Sequence, residues 1–293
     1  MKPMLAEKPD RTAEEYVFTH VLEAKLDGFR AMVEVTKEGV VVTGRSGADW
    51  SGRMPSVEAD LSALPPCILD CEVVVIESWA ELYGELVPVC ANRKVAAAMK
   101  RNPTETPSLV ILDVLKVGTY DLTDLPDHQR RGFGVMLEEH LGDSISLVPR
   151  WKDWGTDLLQ DLGQLAEGGM VKDPDARYQQ GKRSKAWLKF KRQFTVDCVV
   201  MGVTEGKGSL EGSLGALEVG QYRDGVLTWR CSVGGAMDWR KRDDMWKANS
   251  ALLGRVVEVR AYAHDKGGEG LRHPQFVRFR DDKMPEECEW EAV

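Results

Sequence analysis

The alternation of apolar and polar positions changes character near residue 193. Before it, residues 16–45 run as YVFTHVLEAKL, FRAMVEVTKEG and VVVTGR, apolar and β-branched stretches broken at Gly28 and Gly39, and predict strands. CILDCEVVVI (67–76) and LVILDVL (109–115) are more continuously apolar and predict buried strands. Residues 80–101 read as a helix whose first half contains Gly84 and Pro88. Residues 127–141 read as a second helix, with Arg130-Arg131 at a solvated start. Trp154–Ala166 reads as a third, stopped by Gly168-Gly169. MVKDP and AWLKFKR predict short strands.

After Arg192 the segments 195–204, 214–222, 226–233, 255–263 and 275–280 are short, β-rich and separated by turns such as Asp224-Gly225. A helical stretch, 238–252, lies between the third and fourth. Five strands with one helix predict an OB-type barrel. The expectation is an α+β chain in two domains, 1–193 with antiparallel sheets and helices, and 194–293 with the barrel.

Composition narrows the class. The 293 residues, 43% hydrophobic and 29% charged, suit a soluble globular protein of one large or two modest domains. No apolar run is long enough to span a membrane, and MKPMLAEKPDRTAEEY lacks a signal-peptide core, so the expected location is cytoplasmic. The six cysteines form no CxxC pair and read as small buried residues. A net charge of −8 argues mildly against a nucleic-acid partner, but KRSKAWLKFKR (182–192) concentrates six cations without an acid. Phosphate binding needs a basic surface and not a basic total.

The first chemical candidate is Lys25, at the end of a strand and ahead of the Asp27-Gly28 turn. A lysine projected into a cleft and crowded by Arg30 and later cations can offer a free amine as nucleophile. Taken alone, K-x-D-G also describes a surface lysine before an ordinary turn. Glu72 closes an apolar strand and suits a ribose hydroxyl or a metal. Glu167-Gly168-Gly169-Met170-Val171-Lys172 sets a carboxylate and a lysine around a short strand. In Trp187-Leu188-Lys189-Phe190-Lys191 the two lysines share a face, where a common anion would relieve their repulsion. Arg278, Arg280 and Lys283 close the last strand with further cations. The glycines between Gly202 and Gly215 do not fit a phosphate-binding P-loop and read as a loop between barrel strands. The five histidines show no metal spacing, and Trp187 reads as buried support for Lys189.

Seven segments in this order resemble the collinear motifs of covalent nucleotidyltransferases: KLDG, GRSGADW, DCEVVV, LVILDVL, EGGMVK, AWLKFK and VRFRDDK. Within that group GRSGADW, EGGMVK and the glycine-rich 202–219 segment look most like ATP-dependent DNA ligases. PMLA at residues 3–6 is similar to the opening of small bacterial and viral members. The resemblance spans about residues 3–283. It implies a nucleotidyltransferase domain at 1–193 and an OB-fold domain at 194–293.

By that resemblance Lys25 takes AMP from ATP and passes it to the 5′-phosphate of nicked duplex DNA, which the 3′-hydroxyl then seals. Glu23, Arg30, Arg45, Glu72, Leu112, Lys189 and Lys191 would contact the nucleotide, and Glu167 with Glu72 would place Mg²⁺. Arg278, Arg280 and Lys283 would reach the β,γ-phosphates if the barrel closes over the site. Arg45, Lys182, Arg183 and Lys185 would meet DNA. One departure stands out: the position before Asp113, usually an aromatic stacked on adenine, is Leu112. The alternatives carrying the same lysine are a GTP-dependent mRNA capping guanylyltransferase and an RNA ligase. A monomer is expected, nucleoid-associated or viral and acting in a host cytoplasm. With 24 residues before Lys25, no added N-terminal DNA-binding domain is expected.

Overall fold

The computed structural model describes residues 1–100, 103–264 and 270–290, and the chain divides into two compact units, Met1–Lys191 and Arg192–Val293. It is built mostly of strands, with a few short helices.

Among the described residues the first unit holds two large sheets and one two-stranded ribbon. One orders its strands as Leu5–Glu7, Arg183–Lys191, Gly168–Lys172, Val21–Lys25 and Arg150–Trp151. The other orders them as Ile145–Leu147, Ser108–Val117, Cys67–Val74, Phe29–Val35 and Val40–Gly44, with the short strand Tyr120–Asp121 beside Ser108–Val117. Most pairs are antiparallel as expected. The two exceptions are Leu5–Glu7 beside Arg183–Lys191 and Ile145–Leu147 beside Ser108–Val117, both parallel. Val33, Leu69, Val73 and Leu109 are wholly buried in one core; Leu22, Val110, Leu162 and Val171 are wholly buried in another. Leu109 and Val110 face opposite cores, so the continuous apolar run of that strand follows from burial on both sides.

Three readings of the sequence are corrected. Residues 80–90 are not helical: Ile76–Leu82 and Glu85–Cys90 form a hairpin, and the helix begins only at Asn92. Tyr83 and Gly84, with φ of 47° and 81°, make the tight turn, and Pro88 sits where the strand tolerates a missing N–H. The helix Pro55–Leu61 was not foreseen, because seven residues give too few turns for a readable period. Arg130 and Arg131 do not form a solvated helix start. Arg130 is fully buried and donates Nε and Nη2 to Asp113 at 2.9 and 2.8 Å.

The second unit orders its strands as Val226–Val233, Leu214–Arg223, Phe194–Glu205, Val256–His264 and Leu271–Phe279. Phe276 N donates to Gly235 O at 3.1 Å, which brings the two ends of the sheet together. The helix Trp239–Lys247 falls between Val226–Val233 and Val256–His264 along the chain, capped by the Asp238 side chain. Asp224 and Gly225, both at positive φ, make the foreseen tight turn. The glycine-rich stretch is a hairpin connection with a 3₁₀ turn at Gly208–Leu210. All six cysteines are free thiols. Among the described residues no helix is long and apolar enough to cross a membrane.

Candidate active site

The site grows from three strands. Val21–Lys25 pairs with Gly168–Lys172, which pairs in turn with Arg183–Lys191. Register sets Lys25 opposite Gly168 and Gly168 opposite Lys191; two residues along, Glu23, Met170 and Lys189 stand in line. Side chains two apart share a face, so Glu23, Lys25, Lys189 and Lys191 all project from one side.

Glycine is required in the middle of this row. Gly168 has φ of +140°, and a Cβ there would lie 2.1 Å from Phe190 O. The N–H of its neighbour Glu167 donates to Lys25 O at 3.0 Å. Glu167 accepts from Lys25 Nζ on one oxygen and from Lys191 Nζ on the other. Both cations hold its carboxyl below the usual range against the opposing pull of burial.

Lys25 itself is presented by a fixed turn. Asn92 Nδ2 donates to Asp27 Oδ1 at 3.1 Å and to Gly28 O at 3.3 Å. A Cβ on Gly28 would come within 2.4 Å of Val73 O and 2.8 Å of Glu72 Cγ, so the turn lies directly against the Glu72 strand. Glu72 consequently faces the lysine. Burial pushes its carboxyl up to about 7, although Arg30 and Lys25 pull it down.

One cavity gathers five of the sequence-derived residues, Glu23, Lys25, Arg30, Glu72 and Leu112, which line it. Lys189 stands beside Lys191 and makes no hydrogen bond or ion pair among the described residues. Burial, with Arg183, Lys191 and Lys25 nearby, lowers its affinity for a proton.

Arg30 is not a loose cation crowding Lys25. Its Nε and Nη2 each lie 2.5 Å from Asp70, and Tyr178 Oη donates to the same carboxylate. Nη1 makes no hydrogen bond among the described residues. Glu23 is buried and bound on both oxygens, by Arg150 at 2.5 Å and Lys172 at 2.7 Å. Lys172 also donates to Leu112 O at 3.0 Å and stands 4.0 Å over the Trp187 ring. Trp187 therefore supports Lys172 and Arg30 rather than Lys189.

Lys172, Met170 and Trp187 line the cavity, but the sequence reading left them out of the site. EGGMVK and AWLKFK held the signal, since strand alternation from Lys25's partners points all three inward. Arg150 and Asn92 carried no local signal, because their partners lie 127 and 65 residues away.

Other expected residues lie outside the cavity. Arg45 is exposed, its backbone N–H held by Arg30 O. Lys182, Arg183 and Lys185 are exposed; Lys185 pairs with Asp10 at 2.7 Å, and Arg183 Nη1 donates to Ala6 O. In the second unit Arg278 pairs with Glu258 at 2.7 Å. Arg280 pairs with Asp197 and Asp282, each at 2.9 Å, and Lys283 pairs with Asp197 at 2.8 Å.

Among the described residues no three carboxylate, histidine or cysteine side chains gather to hold a metal alone. Glu72 and Glu167 are carboxylates near Lys25, and both oxygens of Glu167 already accept from lysines; Mg²⁺ is usually bound through one or two carboxylates with phosphate oxygens and water.

The chain is similar to known proteins in sequence and fold. A family model described as "ATP dependent DNA ligase domain" matches residues 3–191. Curated relatives include "Probable DNA ligase" of Mycobacterium marinum, 30% identical over 319 residues, covering 98% of this chain and 61% of that protein. "Probable DNA ligase" of Streptomyces coelicolor is 30% identical over 325 residues, with the same coverages. The chain thus spans about 61% of the length of such relatives. Among solved structures, Pmar-Lig_PreS3 matches with a TM-score of 0.72 and 25% identity, over 95% of this chain and 67% of that one. The ligase domain of LigD from M. tuberculosis shares the fold, with a TM-score of 0.56 and 24% identity over 99% and 98% of the two chains. The family match covers more than half of the sequence and includes Lys25, Glu72, Glu167, Lys189 and Lys191, so this chain belongs to the ATP-dependent DNA ligase domain family.

Proposed function

We propose that this chain is the catalytic core of an ATP-dependent DNA ligase, with Lys25 carrying AMP from ATP to the 5′-phosphate of a nick in duplex DNA. The observation that carries this reading is the meeting of Lys25 and Lys191 on the single carboxylate of Glu167, beside Glu72 and the unpaired Lys189. A nucleophilic amine, two further cations and two carboxylates are what an in-line phosphoryl displacement requires.

In the first step Lys25 Nζ, after giving up a proton, attacks the α-phosphorus; the bond to pyrophosphate breaks and a P–N bond forms. Lys189 and Lys191 hold the α-phosphate, Glu72 the ribose, and Glu23, Leu112 and the free Nη1 of Arg30 border the rest of the nucleotide. A divalent cation held by Glu167 and Glu72 would neutralise phosphate charge during displacement. In the second step a 5′-phosphate oxygen attacks the AMP phosphorus, and the P–N electron pair returns to Lys25. Attack of the 3′-hydroxyl on the adenylated end then seals the strand and releases AMP.

Residues 1–193 serve as the nucleotidyltransferase domain and 194–293 as the OB-fold domain; the division of the chain and the five strands with their inserted helix support this. Arg278, Arg280 and Lys283 act in the first step by exchanging their carboxylates for the leaving phosphates. Arg45, Lys182, Arg183 and Lys185 offer exposed cations to the DNA backbone.

The test is incubation with α-labelled ATP or GTP, denaturing electrophoresis, then addition of nicked duplex bearing a 5′-phosphate. ATP should label the chain, GTP should not, and the nick should discharge the label. Lys25→Ala should take no label, and Lys25→Arg should fail as well because guanidinium stays protonated. Label persisting on Lys25→Ala overturns the assignment; labelling by GTP with discharge to diphosphate-ended RNA replaces it with capping.

A further inference from the structure

A second concavity opens in the first unit, and Lys25 does not line it. It encloses about 680 Å³ between the turn preceding Val21–Lys25 and the helix Asp127–Leu137. That volume is in the range of pockets that hold small organic ligands.

Cations outnumber carboxylates in its lining. Arg131 and Lys152 stand on its wall and make no hydrogen bond or ion pair among the described residues. Arg150, on the same wall, is already committed to Glu23 and Asp127. The one carboxylate there, Asp175, lies 3.3 Å from His128 Nδ1 and turns to solvent, with its side chain 84% exposed. His20 completes the titratable groups and is partly withdrawn from water, which disfavours its charged form.

Arg131 is partly buried, and the same desolvation works against its charge. Glu23, Glu138 and Asp127 act on it only from a distance, and Arg150 opposes them, so an anion entering the cavity would supply the direct partner that the guanidinium lacks among the described residues. Phe18 borders the same space and is 96% exposed. An aromatic ring left in water beside unpaired cations offers the two contacts that hold a nucleotide, a π-face for the base and positive charge for the phosphate.

We propose that this cavity binds a nucleoside phosphate, with the phosphate on Arg131 and Lys152 and the base against Phe18. The ligand is either a free mononucleotide or one nucleotide of a single-stranded nucleic-acid segment. The inference does not depend on the ligase reading.

The experiment uses the full chain without ATP or metal. It is titrated into a fluorescein-labelled thymidine strand on the order of eight nucleotides long, lacking a 5′-phosphate, and followed by anisotropy, with thymidine 5′-monophosphate as competitor. Arg131→Gln and Phe18→Ala should each weaken binding by about fivefold or more, since a stacked base or a phosphate contact is lost. If the monophosphate displaces the strand, and does so less well from both variants, the ligand is a mononucleotide. If it displaces poorly while the strand still depends on both residues, the ligand is a strand segment. Equal strand affinity in wild type and both variants, or no binding of either probe, overturns the proposal. Phe18→Ala keeps the test decisive, because a side chain so exposed carries almost none of the folding energy. Labelling of Lys25 by ATP should survive in both variants; its absence even from the wild type would count against the ligase reading and leave this one standing.

Discussion

Lys25 and Lys191 donate to opposite oxygens of the same carboxylate, Glu167, although they belong to strands that do not touch. The strand between them contributes no side chain at that register, only Gly168. If Lys25 is the nucleophile and Lys191 a phosphate-binding cation, as proposed above, the Glu167 carboxylate fixes their separation before any nucleotide arrives, and such preorganisation lowers the cost of reaching the transition state.

Gly168→Ala tests that arrangement. The new methyl would meet the Phe190 carbonyl and hold a left-handed backbone, so stability should fall by about 2–3 kcal/mol. Urea unfolding measures this loss. Self-adenylation should fall further than the folded fraction does, because the row Lys25–Gly168–Lys191 must spread. A variant with wild-type unfolding and labelling would show that the close packing at Phe190 is not needed.

Much of this was legible in the sequence, and the failures are specific. Lys25, Glu72, Glu167, Lys189 and Lys191 each end or alternate along an apolar strand, so the local pattern fixed their direction as well as their type. The hairpin at 76–90 was misread because its Leu, Glu and Ala residues favour helix by propensity, while Val87, fully buried, packs the ribbon onto the core. Arg130 was misread for a different reason. An arginine pair on a helix looks solvated unless its carboxylate is known, and Asp113 lies 17 residues away on another element. The link of Glu23 to Arg150 and Lys172 is equally invisible locally, since tertiary pairing leaves no periodic trace.

Glu72 carries a pH dependence of definite sign. Its folded carboxyl is pushed up to about 7, so the native state holds a proton that the unfolded chain releases nearer 4.5. Rising pH through that window removes stability, and the loss is complete above about pH 7. Glu72→Gln has no such proton and should gain on the wild type by about 2 kcal/mol between pH 5 and pH 8. Denaturation midpoints of both proteins at the two pH values give the comparison; a constant difference would mean that Glu72 ionises freely.

Arg280 and Lys283 should separate the steps of the reaction. Both are held by Asp197, and Arg280 by Asp282 as well, so engaging a phosphate requires giving up a carboxylate. Replacing both cations by Ala should slow self-adenylation by about tenfold or more, in the manner of lost transition-state donors. Sealing of a nick that is already adenylated should be nearly unaffected, since no pyrophosphate leaves in that step. Equal loss in the two assays would assign these cations to DNA binding.

Leu112 sets the last expectation, because it lines the cavity where the resemblance implies an aromatic ring on the base. Its carbonyl accepts from Lys172 Nζ, and Lys172 in turn holds Glu23, so the backbone at this position is tied into the buried ion pairs. Changing the side chain leaves that carbonyl in place. Leu112→Phe should therefore add a stacking face without disturbing Glu23 or Lys172, and such contacts are worth about 0.5–1.5 kcal/mol. The KM for ATP in the labelling reaction should fall by about two- to tenfold, with little change in the rate at saturation. Base choice should not move, because it depends on hydrogen bonds at the purine edge, which a ring stacked on its face does not supply. Labelling by GTP that rises together with labelling by ATP would show that Leu112 itself helps to exclude guanine.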